Sequence, residues 1–193
     1  MRYNNESNLL TGDPSLAAAF TRFFDELWKL RVDEHNSAPE QSFQMEPAPS
    51  PEENPKVQLL FNGSYKKRIL KLLEAAKSEV SISIYYFSDN EIKDAILAAA
   101  KTGVSIRVLL NTHKDYARHL VERNEETAKE LLESDNSGNI KVYFDKNHFF
   151  THSKTLIVDP NLRNNTGEIL LGTGNWNSTD IKKHSQVYAH IRS

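Results

Sequence analysis

Residues 80–110 read VSISIYYFSDNEIKDAILAAAKTGVSIRVLL, and this stretch predicts a strand, a helix and a second strand. Its two ends, 80–87 and 104–110, are rich in the β-branched and aromatic residues that favour strands. Between them, apolar residues recur at helical spacing: Ile92, Ala95, Ile96 and Ala99. Two strands joined by a helix are expected to lie parallel, with the helix packed on one face of their sheet.

The same alternation continues along most of the chain. The central helix is predicted to begin at a capping box of Ser88 and Glu91 and to end at Gly103. Further strands are predicted at 56–61, 140–144, 152–159, 168–174 and 186–191, and further helices at 64–79 and about 116–133. Because the later connections are short, the order predicts an α/β fold with a mixed, largely parallel sheet flanked by helices on both faces.

Composition restricts the class of protein. The 193 residues include no cysteine, which excludes a disulfide framework, Cys-ligated zinc and a thiol nucleophile. The net charge of -2 gives no overall basic field for nucleic acid, although a local patch remains compatible with it. No apolar run approaches the length of a membrane span, and the first ten residues lack the pattern of a signal peptide. The expected location is cytoplasmic by default.

The N-terminal quarter differs from the rest. Five of the seven prolines lie between Pro39 and Pro55, in a polar stretch typical of a linker. Before it, residues 13–30 have Asp13 and Pro14 at the start of a predicted helix. One face of that helix is apolar: Leu16, Phe20, Phe23, Phe24, Leu27 and Trp28. Such a stripe must pack on another surface, and this chain's own sheet is one candidate.

Residues 151–159, THSKTLIVD, form a predicted strand that carries a basic pair. His152 and Lys154 are two residues apart, so their side chains leave the same face of a strand and can hold one anion together. Asp159 has the opposite parity and would repel an anion, so its expected role is structural. The stretch fits either a phosphate site or an edge strand with solvated basic residues.

The following strand ends in GTGN, residues 172–175. Thr173 and Asn175 are expected to project from one face, and Gly172 and Gly174 would remove side-chain bulk so that a ligand can approach the backbone. If the two strands are neighbours, these residues share a cleft with the basic pair. The alternative is an ordinary turn.

A His-x-Lys-x4-Asp match is expected by chance only roughly 0.03 times in a chain of this composition. With the Gly-Thr-x-Asn segment, the sequence over about 56–193 resembles the phospholipase D superfamily, whose HKD signature is His-x-Lys-x4-Asp followed by Gly-Gly or Gly-Ser and then x-Asn. The matching residues are His152, Lys154, Asp159, Gly172, Thr173 and Asn175.

The resemblance implies a phosphodiesterase that uses no metal or other cofactor and acts on phospholipid or nucleic acid. A neutral imidazole would attack phosphorus to form a phosphohistidine, and a second imidazolium would protonate the leaving alcohol. Positive charge and amide donors would stabilise the phosphoryl oxygens. The expected catalytic residues are His152, Lys154, Asn175 and Asp159, with substrate contacts from Thr173, Gly172 and Gly174.

The chemistry needs two histidines, and the sequence contains one such motif. The remaining candidates fit no second motif: His113, His119, His148, His184 and His190. A second HKD motif is therefore expected from a homodimer partner, or from an upstream repeat outside this chain, in which case the resemblance favours His152 as the general acid. Residues 1–34 resemble the last strand and helix of such a repeat, which predicts a repeat tail at 1–34, a linker at 35–55 and a phospholipase D-like domain at 56–193.

One departure from the family leaves a second function open. The family often has a carboxylate about eleven residues after the asparagine, where it orients the histidine, and this chain has Ser185 and Gln186 there. The alternative is therefore a non-catalytic half-domain that acts as a partner or binding module. A basic helix face with Lys66, Lys67, Arg68 and Lys71 gives only slight support to a nucleic-acid substrate.

Overall fold

The structure is a computed structural model, and it describes residues 4–5, 57–112, 118–145, 150–161 and 166–192. Its strands are β1 (Asn4–Asn5), β2 (Val57–Phe61), β3 (Glu79–Ile84), β4 (Ser105–Leu110), β5 (Ile140–Phe144), β6 (Phe150–Thr151), β7 (Lys154–Asn161), β8 (Thr166–Gly172) and β9 (Val187–Arg192). Its helices are α1 (Ser64–Ala75), α2 (Asn90–Lys101), α3 (Arg118–Ser134) and α4 (Ser178–Lys182). The sequence predicted all of these except β6 and α4, which are five residues long or shorter, and β1 lies in the stretch that resembles the last strand of a repeat.

Seven strands form one sheet in the order β2-β9-β8-β7-β3-β4-β5. The sheet is mixed, as predicted. It is not largely parallel, because only the β3-β4 and β4-β5 pairs are parallel and the other four pairs are antiparallel. The reason lies in the connections: helices link β3 to β4 and β4 to β5, whereas β7, β8 and β9 follow one another through short turns and α4.

Helices do not flank both faces within the described part of the chain. The main core joins α1, α2 and α3 to alternate residues of the strands, so these helices lie on one face. The strand residues on this face include Val80, Ile82, Ile84, Ile106, Val108, Leu110, Leu156, Val158 and Leu170. The opposite face carries a smaller cluster of Leu59, Phe61 and Ala189, to which no described helix contributes.

The central helix begins one residue later than the predicted capping box. Asp89 is the N-cap, and its carboxylate accepts a hydrogen bond from the Ile92 backbone N–H at 3.1 Å. Ser88 instead donates its own backbone N–H to the carbonyl oxygen of Trp176. The helix ends as expected, with Gly103 at a φ of 98°, in the left-handed region that glycine tolerates.

The predicted repeat tail, its helix and the proline-rich linker lie outside the described residues, apart from β1. This two-residue strand pairs in parallel with β6, so that Asn5 lies beside Thr151. The division into 1–34, 35–55 and 56–193 therefore stays a proposal.

Candidate functional site

The predicted site residues other than Asp159 lie at one edge of the sheet, which we call the His152 edge. Strands β3 and β4 end there, β7 begins there and β8 ends there. The strands that carry the two halves of the motif are neighbours, since Thr155 of β7 pairs with Leu171 of β8. The chain after β8 then crosses to the end of β3, where Phe87 and Trp176 form a bridge. The segments that follow β3 and β8 and precede β7 thus converge.

His152 and Lys154 are held against Tyr85, the first residue after β3. The imidazole meets the Tyr85 ring edge-on, with centroids 4.9 Å apart, and the Lys154 Nζ lies 5.3 Å from the centroid of the same ring. Lys154 is only 3% exposed, and its Nζ donates to the carbonyl oxygen of His152 at 2.6 Å. An ammonium so restrained provides fixed positive charge beside the imidazole. Sequence reasoning placed Tyr85 in a strand and missed this contact.

Asn124 of α3 holds the chain segment that carries Tyr85. This side chain is fully buried and makes three hydrogen bonds. Its Oδ1 accepts from the Phe87 backbone N–H at 3.0 Å, and its Nδ2 donates to the carbonyls of Tyr85 and Asn111 at 2.9 and 3.0 Å. One amide therefore ties the ends of β3 and β4 to the helix. A polar residue on a helix gave no sequence signal for this role.

The backbone of Asn175 is clamped on both sides. Its N–H donates to the buried Asp180 carboxylate at 2.7 Å, and its carbonyl accepts from the Tyr65 hydroxyl at 2.9 Å. The Asn175 Oδ1 is buried and finds no hydrogen-bond donor among the described residues. Because an unpaired buried oxygen is costly, a ligand group with a donor would be stabilised there.

Burial raises the pKa of the Tyr65 hydroxyl, and the nearby carboxylates of Asp180 and Asp89 add to that shift. The hydroxyl therefore stays protonated and donates to Asn175 throughout the ordinary pH range. The clamp residues Tyr65 and Asp180 were not found in the sequence, because they lie on α1 and α4 and belong to no motif.

The two glycines of GTGN are closely packed in the direction of a side chain. A Cβ on Gly172 would overlap the Tyr188 ring and the Val187 carbonyl, and a Cβ on Gly174 would meet the Tyr65 hydroxyl at 2.9 Å. Packing against these tyrosines therefore requires glycine at both positions. The substrate contact predicted for the two residues stays a prediction.

Thr173 is exposed and directed toward the strand that follows. Its hydroxyl donates to the Gln186 Oε1 at 2.6 Å, and it accepts from the Val187 N–H at 3.1 Å. Gln186 is the residue that stands where the family often has a carboxylate. The structure thus brings this departure into direct contact with a predicted site residue.

Asp159 lies near the other end of β7, away from His152. Its carboxylate accepts hydrogen bonds from the backbone N–H groups of Lys77, Ser78 and Glu79, at 2.7 to 3.0 Å. Partial burial opposes ionisation, but these bonds outweigh it and lower the pKa of the carboxyl group. Asp159 fixes the loop before β3 to β7, which matches its expected structural role and separates it from the His152 edge.

The other histidines that can be described are engaged elsewhere or solvent-exposed. His190 is fully buried, with its Nε2 2.6 Å from Glu168, and its Nδ1 has no partner among the described residues. His184 lies 2.7 Å from the second oxygen of Asp180, and His119 is exposed on α3. His113 and His148 lie outside the described residues.

The described residues contain no group of three or more histidine or acidic side chains arranged to hold a metal ion. None of their helices is long and apolar enough to cross a membrane.

The family model and the curated relatives that match this sequence both carry the description cardiolipin synthase. A family model described as "Cardiolipin synthase, PLD-like domain" matches residues 69–192. Cardiolipin synthase of Listeria welshimeri is 31% identical over 128 residues, which cover 65% of this chain and 24% of that protein. The corresponding protein of Alkalihalophilus pseudofirmus is 29% identical over 127 residues, covering 65% and 23%. The chain thus spans about a quarter of the length of these relatives.

Solved structures share the fold. The phospholipase D family member Nuc from Salmonella typhimurium superposes with a TM-score of 0.56 and 24% identity, covering 77% of this chain and 84% of that one. Phosphatidylserine synthase of Haemophilus influenzae Rd KW20 gives a TM-score of 0.66 at 14% identity, covering 92% and 48%. The solved structures share the fold, and the family model, which matches more than half of the chain, shows that the chain belongs to the phospholipase D-like family.

Proposed function

We propose that this chain carries one HKD half-site of a phosphodiesterase and that His152 is its reacting imidazole. The observation that carries the proposal is the convergence of His152, Lys154 and Asn175 at one edge of the sheet, on neighbouring strands. The Asn175 Oδ1 is an acceptor, which a phosphoryl oxygen cannot satisfy, so we assign the contact with the phosphoryl group to the Nδ2 donors of this side chain.

Each of these residues has a definite task in the proposed reaction. The His152 imidazole attacks phosphorus, so that a P–N bond forms while the P–O bond to the leaving alcohol breaks. A second imidazolium gives its proton to the departing oxygen. Water or an acceptor alcohol then attacks the phosphohistidine, loses a proton to the second imidazole and releases His152. Lys154 and the Asn175 amide stabilise the charge on the phosphoryl oxygens, and no metal takes part.

The second imidazole comes from another HKD motif. In the purified chain this motif can only be that of a second copy, so that His152 of one protomer is the nucleophile and His152 of its partner is the acid. In a longer protein it would come from an upstream repeat. With an upstream repeat the resemblance favours His152 as the general acid, so both arrangements require His152 for turnover although its role differs between them.

We propose a phospholipid as the first substrate to test, because the curated relatives are named cardiolipin synthases and one structural neighbour is named phosphatidylserine synthase. Nucleic acid is the second, because the resemblance to the superfamily leaves it open. Vesicles containing phosphatidylglycerol and a single-stranded DNA oligonucleotide are therefore the two probes.

The experiment measures hydrolysis of bis(p-nitrophenyl) phosphate by the purified chain in EDTA. The variant is His152→Ala, and the matched control is His119→Ala, which removes an exposed imidazole on α3. We expect EDTA-resistant turnover that falls by roughly 10³-fold in the first variant and stays unchanged in the second. Activity that survives His152→Ala, or that EDTA abolishes, would refute the proposal.

A non-catalytic half-domain is the second candidate, and Gln186 is the observation that favours it. A neutral amide contacts Thr173 where a carboxylate often stands in the family, so it cannot stabilise an imidazolium by charge. In this case the folded chain shows no turnover, and Gln186→Glu restores none. Turnover by the unmodified chain rules this candidate out.

A further inference from the structure

The face of the sheet opposite α1, α2 and α3 divides into two halves of different character. On β7, β8, β9 and β2 the residues of this face are apolar: Val57, Leu59, Phe61, Ile157, Ile169, Leu171, Val187, Ala189 and Ile191. We call these nine residues the apolar half. On β3, β4 and β5 the same face carries polar groups such as Ser81, Ser83 and Arg107, which line an open groove.

The centre of the apolar half is buried although no described helix lies on it. Leu59, Phe61 and Ala189 are 5%, 1% and 5% exposed. Neighbouring strands cover the flanks of such side chains but not their outer ends. Burial this complete requires an additional layer above the sheet.

The path of the chain shows which segment is available for this layer. Asn5 pairs with Thr151, beside the His152 edge. Val57 pairs with Ile191 at the end of β9, which is the opposite edge of the sheet. Residues 6–56 must therefore run from one edge to the other. A six-residue strand is about 20 Å long, and a helix over residues 13–30 would be about 27 Å long, enough to cross the face.

We propose that residues 13–30 form a helix that packs its apolar stripe on the apolar half of this sheet. The stripe and the apolar half are complementary in character: Leu16, Phe20, Phe23, Phe24, Leu27 and Trp28 would face the nine apolar sheet residues. The other side of the segment carries Arg22, Asp25 and Lys29, which would stay in water. Residues 13–30 would then belong to the core of the domain at 56–193, even if their sequence derives from the end of an upstream repeat.

The proposal has a consequence for the partner that supplies the second histidine. Once residues 13–30 cover the apolar half, that surface is no longer open to another protein. A second copy or an upstream repeat must then approach at the His152 edge or on the polar half of the face. The inference does not depend on enzymatic activity, because its test measures surface protection.

The chain has no cysteine, so a single introduced thiol can report on the apolar half without background. Ala189→Cys changes a 5% exposed residue at its centre by one sulfur atom. The rate at which this thiol reacts with Ellman's reagent is measured in three versions of the full chain. The first has no other change, and the second also carries Phe20→Asp and Phe24→Asp in the apolar stripe. The third is the matched control, with Arg22→Asp and Lys29→Asp on the polar side of the segment. The rates are compared over a hundredfold range of protein concentration.

We expect slow reaction in the first and third versions and reaction at least tenfold faster in the second, at every protein concentration. A second reporter, Ala100→Cys on α2 in the main core, separates local exposure from global unfolding, and we expect it to stay protected in all three. No acceleration by the stripe substitutions would overturn the proposal. Protection of the Ala189→Cys thiol that increases with protein concentration would also overturn the proposal, because a second copy of the chain would then cover the apolar half. Equal acceleration of both reporters would show that residues 13–30 do not act locally on this face.

Discussion

Replacement of Asn124 by alanine tests whether the site depends on the hydrogen bonds that join α3 to the ends of β3 and β4. The change removes one acceptor and two donors from a fully buried position. It leaves the Phe87 N–H and the Tyr85 and Asn111 carbonyls without this partner. A buried polar group left unpaired costs about 1–3 kcal/mol. We therefore expect Asn124→Ala to lower the free energy of unfolding by about 3–6 kcal/mol.

Such a loss is a large fraction of the roughly 5–15 kcal/mol that stabilises an ordinary domain. The matched control is Thr127→Val, one turn further along α3. It removes a single hydrogen bond to the Phe87 carbonyl, keeps the shape of the side chain and should cost about 1–2 kcal/mol. Urea unfolding followed by circular dichroism gives both values under the same conditions.

Activity provides the second measurement on the same pair of variants. Because Asn124 holds the Tyr85 carbonyl and the Tyr85 ring packs on His152, its loss should lower kcat well beyond the effect of Thr127→Val, measured at a temperature where both variants are folded. An unfolding cost below about 1 kcal/mol would contradict the hydrogen-bond account. Equal kcat values for the two variants would contradict the link from Asn124 through Tyr85 to the imidazole.

Three further predictions concern neighbouring features. Tyr85→Leu should lower kcat roughly tenfold, because it removes the ring that contacts His152 and Lys154. Tyr85→Phe keeps the ring and should keep most of the activity. Equal losses of kcat in the two variants would show that the hydroxyl matters instead. Gly172→Ala should destabilise the fold by about 1–3 kcal/mol through overlap with Tyr188, and an unchanged melting temperature would contradict this packing. Burial lowers the pKa of His190 below its unfolded value of about 6.5, against the opposing effect of Glu168. The unfolded state therefore binds the proton more readily, so the free energy of unfolding should fall as pH drops below about 6.5 toward the folded-state pKa of His190. The variant His190→Leu should show a weaker dependence of this free energy on pH. The same pH profile in the variant and the unchanged chain would contradict the prediction.

The sequence predicted the alternation of strands and helices because hydrophobic period and turn residues are local properties. It located the two halves of the HKD motif on two strands without showing that these strands are neighbours, and in the structure β7 and β8 pair. The sheet has more antiparallel pairs than predicted, because strand direction depends on connections whose path a sequence does not show. Ser88 was predicted as the cap of α2 because Ser88 and Glu91 match the capping-box pattern, and only the structure shows that Asp89 is the N-cap and that Ser88 bonds to Trp176.

The parts of the site that the sequence did not predict are those that depend on distant contacts. Asn124 and Asp180 lie on helices outside the motif, and nothing in their neighbourhoods distinguishes them from solvent-exposed polar residues. The packing of Gly172 against Tyr188 and of Gly174 against Tyr65 was not predicted, because these tyrosines lie far from the glycines in the chain. The sequence showed only that His190 belongs to no second motif, because its contact with Glu168 depends on the pairing of β8 with β9.

The central claim is that His152 takes the phosphoryl group, and the most direct measurement is the trapping of that adduct. The purified chain is mixed with bis(p-nitrophenyl) phosphate, quenched in alkali, which preserves phosphohistidine, and digested for peptide mass spectrometry. We expect a p-nitrophenyl phosphate adduct on the peptide that contains His152 and none in the His152→Ala variant. Turnover without an adduct on that peptide, or with one on another residue, would contradict the account.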